Sequence, residues 1–256
     1  MSVPRAWVGL VPTLWLCGCV TTNTGDMIIK ESPATAGAAN RQLGAAYLQQ
    51  GNLPIAKEKL ERAAKQSPKD PVIHGLLGLL YHRLGDDKRA EKEHRMALEL
   101  APGDPEQLNN YAVFLCDVGR ADEGVSRFEE AARNPLYRTP WAAYTNAGVC
   151  LRGAKREAEA EPLFLRALQV QPDYTEAVVQ LADMELSQHR AADAYKRVAD
   201  FMKTDPANPE LLLLGWRAAH EMKDPAAAAQ MAWRLQSDFP DSDQAHTLAQ
   251  MSGGKK

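Results

Sequence analysis

Apolar positions between residues 40 and 242 recur at helical spacing, and the pattern repeats as a block. "NRQLGAAY" from Asn40 and "HGLLGLLY" from His74 share Leu43-Gly44/Leu77-Gly78 and Tyr47/Tyr81, a shift of 34 residues. Ala56 and Ala90, Ala63 and Ala97, and Pro68 and Pro102 repeat at the same shift. Within each block the Leu, Tyr and Phe positions follow a 3.6-residue period, the mark of amphipathic helices packed on one another. Pro68, Pro102, Pro172, Pro206 and Pro240 each follow a helix end and recur at 34 residues, with two extra residues between Pro102 and Pro172. They stop one helix and leave an Asp, Asn or Ser near the start of the next. The expected class is all-α.

The block resembles the tetratricopeptide repeat (TPR), a 34-residue helix-turn-helix unit with W-x₂-L-G-x₂-Y, then Ala, then A-x₃-F, then Pro. Six units are expected over residues 37–242, at about 37–70, 71–104, 105–138, 141–174, 175–208 and 209–242. The third carries Leu108, Tyr111, Gly124, Phe128 and Ala131; inserted residues near "RTP" then delay the fourth, which opens at Trp141. Residues 243–256 are expected to form a capping helix and a disordered tail. Gly44, Gly78 and Gly148 lie mid-helix, where glycine costs about 1 kcal/mol relative to alanine. Close approach of a neighbouring helix would account for them, as it would for Ala56, Ala90, Ala160, Ala194 and Ala228. Stacked units share one core. The resemblance implies a right-handed α-solenoid superhelix whose concave groove is lined by the first helix of every repeat.

The first residues do not follow this pattern. Arg5 supplies one charge, and Ala6 to Gly18 form an uncharged apolar run of secretory length, too short to span a bilayer as a permanent helix. "LCGC" at 16–19 resembles the lipobox of bacterial lipoproteins. The resemblance implies a signal peptide over 1–18, removal of Cys17 with it, and diacylglycerol on Cys19. Val20 after that cysteine implies transfer to the outer membrane of a Gram-negative bacterium, with the protein facing the periplasm. Residues 19–36, rich in Thr, Ser, Ala and Gly, read as a flexible tether.

Composition adds little. Of 256 residues, 45% are apolar and 25% charged, and the net charge of −3 gives no footprint for nucleic acid. No catalytic motif is present, and none of the six histidines stands in a metal motif. His74 and His94 fall at core-facing repeat positions. No catalytic residue, metal, cofactor or small-molecule substrate is expected, the lipid on Cys19 apart, so the chain reads as a non-enzyme.

Cys116 and Cys150, also 34 residues apart, sit on the first helices of neighbouring repeats in an exported protein, which predicts a disulfide. The insertion places Cys116 about two positions later in its repeat, so the approach of Cα atoms to within about 7 Å has to be tested. Two buried free thiols are the other outcome.

Function is expected in the groove, which in such solenoids holds an extended peptide or partner helix. Candidate groove residues are Arg41, Leu79, Arg83, Asn109, Asn110, Val113, Asn146, Arg152, Asp183 and Arg217. Asparagine can serve a peptide backbone as donor and acceptor; Asn110 and Asn146, at one repeat position, could instead support the helical hairpin.

The signal, the lipobox, "ANRQLGAAYLQQGNLPIAKEKLERA", "LNNYAVFLC", "NPLYRTPWAAYTNAGVC" and the repeat count together resemble the type IV pilus biogenesis lipoproteins, or pilotins. That resemblance implies a protein partner, the pilus secretin or another pilus-assembly protein, held in the groove while the lipid delivers it to the outer membrane. A repeat lipoprotein serving another envelope machine, or a periplasmic chaperone with broad clients, would share most of these features.

Overall fold

The computed structural model describes residues 33–204 and 208–253. The expected signal peptide, Cys19, most of the tether, Pro206 and the final residues lie outside them. The described residues form thirteen α-helices and no strand: α1 (Pro33–Gln49), α2 (Leu53–Gln66), α3 (Pro71–Arg83), α4 (Asp87–Leu100), α5 (Pro105–Asp117), α6 (Ala121–Arg133), α7 (Pro140–Gly153), α8 (Glu157–Val170), α9 (Thr175–Ser187), α10 (Ala191–Phe201), α11 (Pro209–Glu221), α12 (Pro225–Asp238) and α13 (Asp243–Gly253). They form six helical pairs and a terminal helix. α1 starts at Pro33, so it takes in the last four residues of the stretch expected as tether.

Local chemistry sets the ends. Pro71, Pro105, Pro140, Pro209 and Pro225 occupy first turns, where a missing N–H costs nothing. The side chains of Asp70, Asp104 and Asn208 accept from the backbone N–H groups of Val72, Gln107 and Leu211 at 2.9, 2.9 and 2.8 Å. Ser242 caps α13 in the same way, accepting from the N–H of Ala245 at 3.1 Å.

The turn inside each pair needs one left-handed residue. Gly51, Gly85 and Gly119 supply it in the first three repeats, with φ of 75°, 77° and 82°. Lys155, His189 and Lys223 supply it in the last three, with φ of 61°, 57° and 58°. These six positions are 34 residues apart except between Gly119 and Lys155, where the step is 36. The two extra residues measure the insertion. Its loop is pinned by Asn134, which donates to the Gly103 carbonyl at 2.9 Å and accepts from Leu136 N–H, and by Tyr137, which is buried.

Small residues let the helices close. A methyl added to Gly44 would lie 2.6 Å from Leu60, one on Gly78 2.7 Å from the His94 ring, and one on Gly148 2.5 Å from Phe164. Ala56, Ala90, Ala160 and Ala194 are wholly buried, and Ala228 nearly so. Phe128, Phe164, Leu60, Ile73, Leu80, Leu181, Leu212 and Leu235 fill the layers between.

The contacts have a sidedness. First helices touch in sequence, α1 to α3, α3 to α5, α5 to α7, α7 to α9 and α9 to α11. Among the described residues the backbones of second helices make no such approach to one another, and each second helix packs instead on the first helices of its own repeat and the next. The stack therefore curves toward its first helices, which puts them on the inner face. α13 takes the place of a seventh first helix, packing on α11 and α12 and burying Leu248 and Ala245.

On the second-helix side, ion pairs bridge the repeats. Arg120, Arg156 and Arg190 stand at the N-cap positions of α6, α8 and α10 and make no side-chain cap bond. Each reaches instead to the second helix of the preceding repeat: Arg120 to Glu91 at 2.8 Å, Arg156 to Asp122 at 2.5 Å and Arg190 to Glu161 at 2.9 Å. The Arg120 bond holds the Glu91 carboxyl below its ordinary range.

Candidate functional site

The inner face carries most of the residues expected in the groove, and nearly all the charged ones are tied between repeats. Arg41 on α1 pairs with Asp70, the N-cap residue of α3, at 2.8 Å. Arg83 on α3 donates to the Leu48 carbonyl in the last turn of α1 at 2.8 Å, satisfying a helix-end acceptor. Arg152 on α7 reaches α9, contacting Asp183 at 2.9 Å and the Gln180 side-chain oxygen at 2.7 Å. Arg217 on α11 approaches the same Asp183 at 3.1 Å. Asp183 is thus shared by two guanidinium groups from the helices on either side.

The asparagines divide. Asn146 Nδ2 donates to Asn109 Oδ1 at 3.2 Å, linking α7 to α5. Asn110 is exposed and makes no side-chain hydrogen bond among the described residues. The contact therefore joins successive first helices, and the equivalence of Asn110 and Asn146 within their repeats produces no shared bond. Leu79 is half-buried against the N-terminal core, whereas Val113 and Val149 stay 37% and 41% exposed.

Cys116 and Cys150 are bonded in the structure, with Cα atoms 5.6 Å apart. The insertion before α7 offsets the two helices in number, yet brings these positions level in space. The disulfide forms the back of a crevice of about 440 Å³, walled by Val113, Val149, Ala121, Phe128, Gly153 and Ala154. Asp117 and Asn146 are the polar side chains of its lining.

Three carboxylates on the first helices were not foreseen. Glu106, Glu176 and Glu210 stand at the second residue of α5, α9 and α11, and none makes an ion pair among the described residues. Burial raises the Glu210 pKa, helped by the negative charge of Glu176 and Asp183. Those neighbours place Glu210 beside the Arg152–Asp183–Arg217 chain. Burial likewise raises Glu106, with Asp104 adding to it. Their spacing carried the signal: 176 to 210 is one repeat and 106 to 176 is two repeats plus the insertion.

Of the two histidines expected to face the core, His94 lies within it and His74 at its edge. His94 is 2% exposed, its ring centroid 5.7 Å from that of Tyr111 and 5.4 Å from that of Phe114, and Nδ1 has no partner. Burial lowers its pKa to about 4, with the nearby His82 adding to the effect. His74 at the edge of the core faces two acceptors, Glu93 at 2.7 Å and the Pro68 carbonyl at 2.9 Å. The Glu93 hydrogen bond raises its pKa, since only the charged ring donates from both nitrogens. Among the described residues no group of three or more His, Cys, Asp or Glu side chains could hold a metal, and no helix is long and apolar enough to cross a membrane.

A family model for the tetratricopeptide repeat matches residues 41–105 and 115–175. The helical pairs are tetratricopeptide repeats, stacked as in TPR solenoids. The matched spans cover repeats one to four; in the last two, Val178, Val198 and Trp216 replace commoner consensus residues. Among TPR proteins, the type IV pilus assembly protein PilF of Pseudomonas aeruginosa is 29% identical over 243 residues, or 94% of this chain and 96% of that protein. The solved structure of P. aeruginosa PilF superposes with a TM-score of 0.66 at 27% identity, covering 86% of this chain and 100% of that one. That of PilW, a widely conserved type IV pilus biogenesis factor, gives a TM-score of 0.67 at 28% identity, covering 83% and 97%. The TPR protein YrrB, with 17% identity and a TM-score of 0.52, shares the fold alone.

Proposed function

We propose that this protein is a non-enzymatic outer-membrane lipoprotein of type IV pilus biogenesis. Cys19 carries the lipid, the tether gives reach from the membrane, and the groove of first helices holds a segment of the secretin or of another pilus-assembly protein. Holding that segment helps localise and assemble the pore through which the pilus leaves. The observation that carries this reading is the similarity to PilF across almost the full length of both chains.

The physics agrees with a binding role. The inner face presents apolar side chains, amides and carboxylates on rigid helices, as recognition of a peptide segment needs. Several acyl chains hold a protein to a membrane far more firmly than one.

The deciding experiment is a deletion strain assayed for surface pili and for heat-resistant secretin multimers. Loss of pili and fewer multimers, both restored by the intact gene, is the expected result. Normal pili and normal multimers would overturn the reading. Replacing Cys19 with Ala should leave a folded protein that no longer fractionates with the outer membrane.

A further inference from the structure

Resting on the reading of the groove as a partner-binding face, we infer that the bound segment is basic and carries one apolar anchor. The anchor enters the crevice at the Cys116–Cys150 disulfide, and its flanking lysines or arginines meet the carboxylates along the first helices.

The crevice supplies the first half. Its walls are two valines from adjacent first helices, the disulfide, Phe128, Ala121, Gly153 and Ala154, and it holds about 440 Å³, room for one large apolar side chain and the backbone around it. No cationic side chain lines it. Its one charged lining residue is Asp117, whose carboxylate is half exposed with His82 Nε2 at 3.4 Å. The rim therefore offers that carboxylate and the Asn146 side-chain oxygen to an incoming donor.

Charge along the face supplies the second half. Arg41 is balanced by Asp70, Arg152 and Arg217 share the single carboxylate of Asp183, and Arg83 is held by a carbonyl, so the expected cations are tied down, with two carboxylates among their partners. Glu106, Glu176 and Glu210 make no ion pair among the described residues, although Arg138 acts on Glu106 and the Gln180 amide donates to Glu176 at 2.9 Å. Around α9 and α11 the three carboxylates of Glu176, Asp183 and Glu210 meet the two guanidinium groups of Arg152 and Arg217, and the crevice carries Asp117 with no cation in its lining, so the excess charge at both places is negative. A cation arriving there relieves repulsion, whereas an acidic segment adds to it. Adjacent first helices pack about 10 Å apart. The crevice lies toward the last turns of α5 and α7 whereas Glu210 stands in the first turn of α11, which adds about 12 Å along the helix axes. An extended segment of about eight residues, at about 3.3 Å each, therefore reaches from one to the other.

The test uses the full-length lipidated protein in detergent and a fluorescein-labelled peptide of four Lys-Ser pairs, one Phe and four Ser-Lys pairs, read by fluorescence anisotropy. Two control peptides replace the Phe by Ser or all eight Lys by Glu. The expected result is saturable binding of the first peptide, at least tenfold weaker binding of both controls, and weakening with added salt. Val149→Glu should weaken the first peptide at least tenfold. Glu176→Gln/Glu210→Gln should reduce the preference for Lys over Glu while leaving the preference for Phe over Ser. Circular dichroism checks that each variant is folded; if Val149→Glu is not, Val113→Thr is read instead, with a smaller loss in the same direction. No binding of the first peptide up to about 1 mM, equal binding of all three peptides, or indifference to both sets of variants would overturn the inference. Those outcomes leave the pilus reading to its own deletion test. A deletion strain with normal pili and multimers would instead remove that reading while the peptide preference stood.

Discussion

Arg197 and Glu185 form a two-pronged pair between α10 and α9: Nη2 lies 2.6 Å from Oε1 and Nε 3.0 Å from Oε2, with the Glu185 side chain only 1% exposed. A carboxylate so deeply placed depends on its partner, because breaking a buried pair leaves an uncompensated charge.

Arg197→Met should therefore destabilise the fifth repeat by about 3 to 5 kcal/mol. Replacing both residues, as Glu185→Leu/Arg197→Met, should recover much of that loss. Solenoid stability is a sum of local terms, so amide hydrogen exchange on α9 and α10 is the sensitive readout. Equal protection in the single and double variants would refute the argument.

His94 should make the N-terminal repeats acid-labile. In the unfolded chain the imidazole titrates near 6.5, whereas in the fold it titrates at about 4. The folded pKa is the lower one, so the contribution is complete above pH 6.5 and is lost as pH falls toward 4, by about 3 kcal/mol in total. His74 works in the opposite sense: its raised pKa favours the fold below pH 6.5 and that help fades as pH rises. Urea melts of His94→Leu between pH 7 and pH 4 should show a shallower fall than the parent protein. An unchanged slope would exclude His94 as the cause.

The left-handed turn residues offer stabilising changes. A side chain in that conformation costs roughly 1–2 kcal/mol, part of which glycine returns as chain entropy. Lys155→Gly and Lys223→Gly should each stabilise their repeat by about 0.5 to 1 kcal/mol, and Gly85→Ala should cost about 1 kcal/mol or more. Denaturation midpoints moving the other way would show that these side chains make contacts that outweigh the backbone term.

The Cys116–Cys150 link closes a loop that contains the insertion. Intact protein alkylated without reductant should carry no label on either residue, and reduction should expose two thiols. Cys116→Ser/Cys150→Ser should lower stability by about 3 to 4 kcal/mol in the chain-entropy model. Two labelled thiols in the unreduced fold would defeat this.

Much of the fold could be read in the sequence because each repeat position does one physical job. Gly44, Gly78 and Gly148 announced close helix approaches, and the prolines with their Asp, Asn and Ser caps announced the ends. The paired cysteines were readable because helix neighbours lie one repeat apart. What escaped was pairing. Arg41, Arg83, Arg152 and Arg217 are visible in the sequence as inner-face cations, but nothing in the residues says that Asp70, Leu48, Gln180 and Asp183 neutralise or cap them. Once they are tied down, Glu106, Glu176 and Glu210 set the charge of the face, and they have no consensus role in the repeat to mark them. The start of α1 at Pro33 was missed for a related reason: small residues such as Ala34 and Ala36 read as tether by composition yet helix well when the following turns are already held.

The sidedness of the helix contacts has a mechanical consequence. Each outer helix is wedged between the inner helix of its own pair and that of the next, so the six pairs are locked like stones in an arch. Changing the curvature has to slide every outer helix on the inner helix that follows it, and strains the arginine links as well. The guest, more than the cradle, therefore has to supply the adjustment when the two meet.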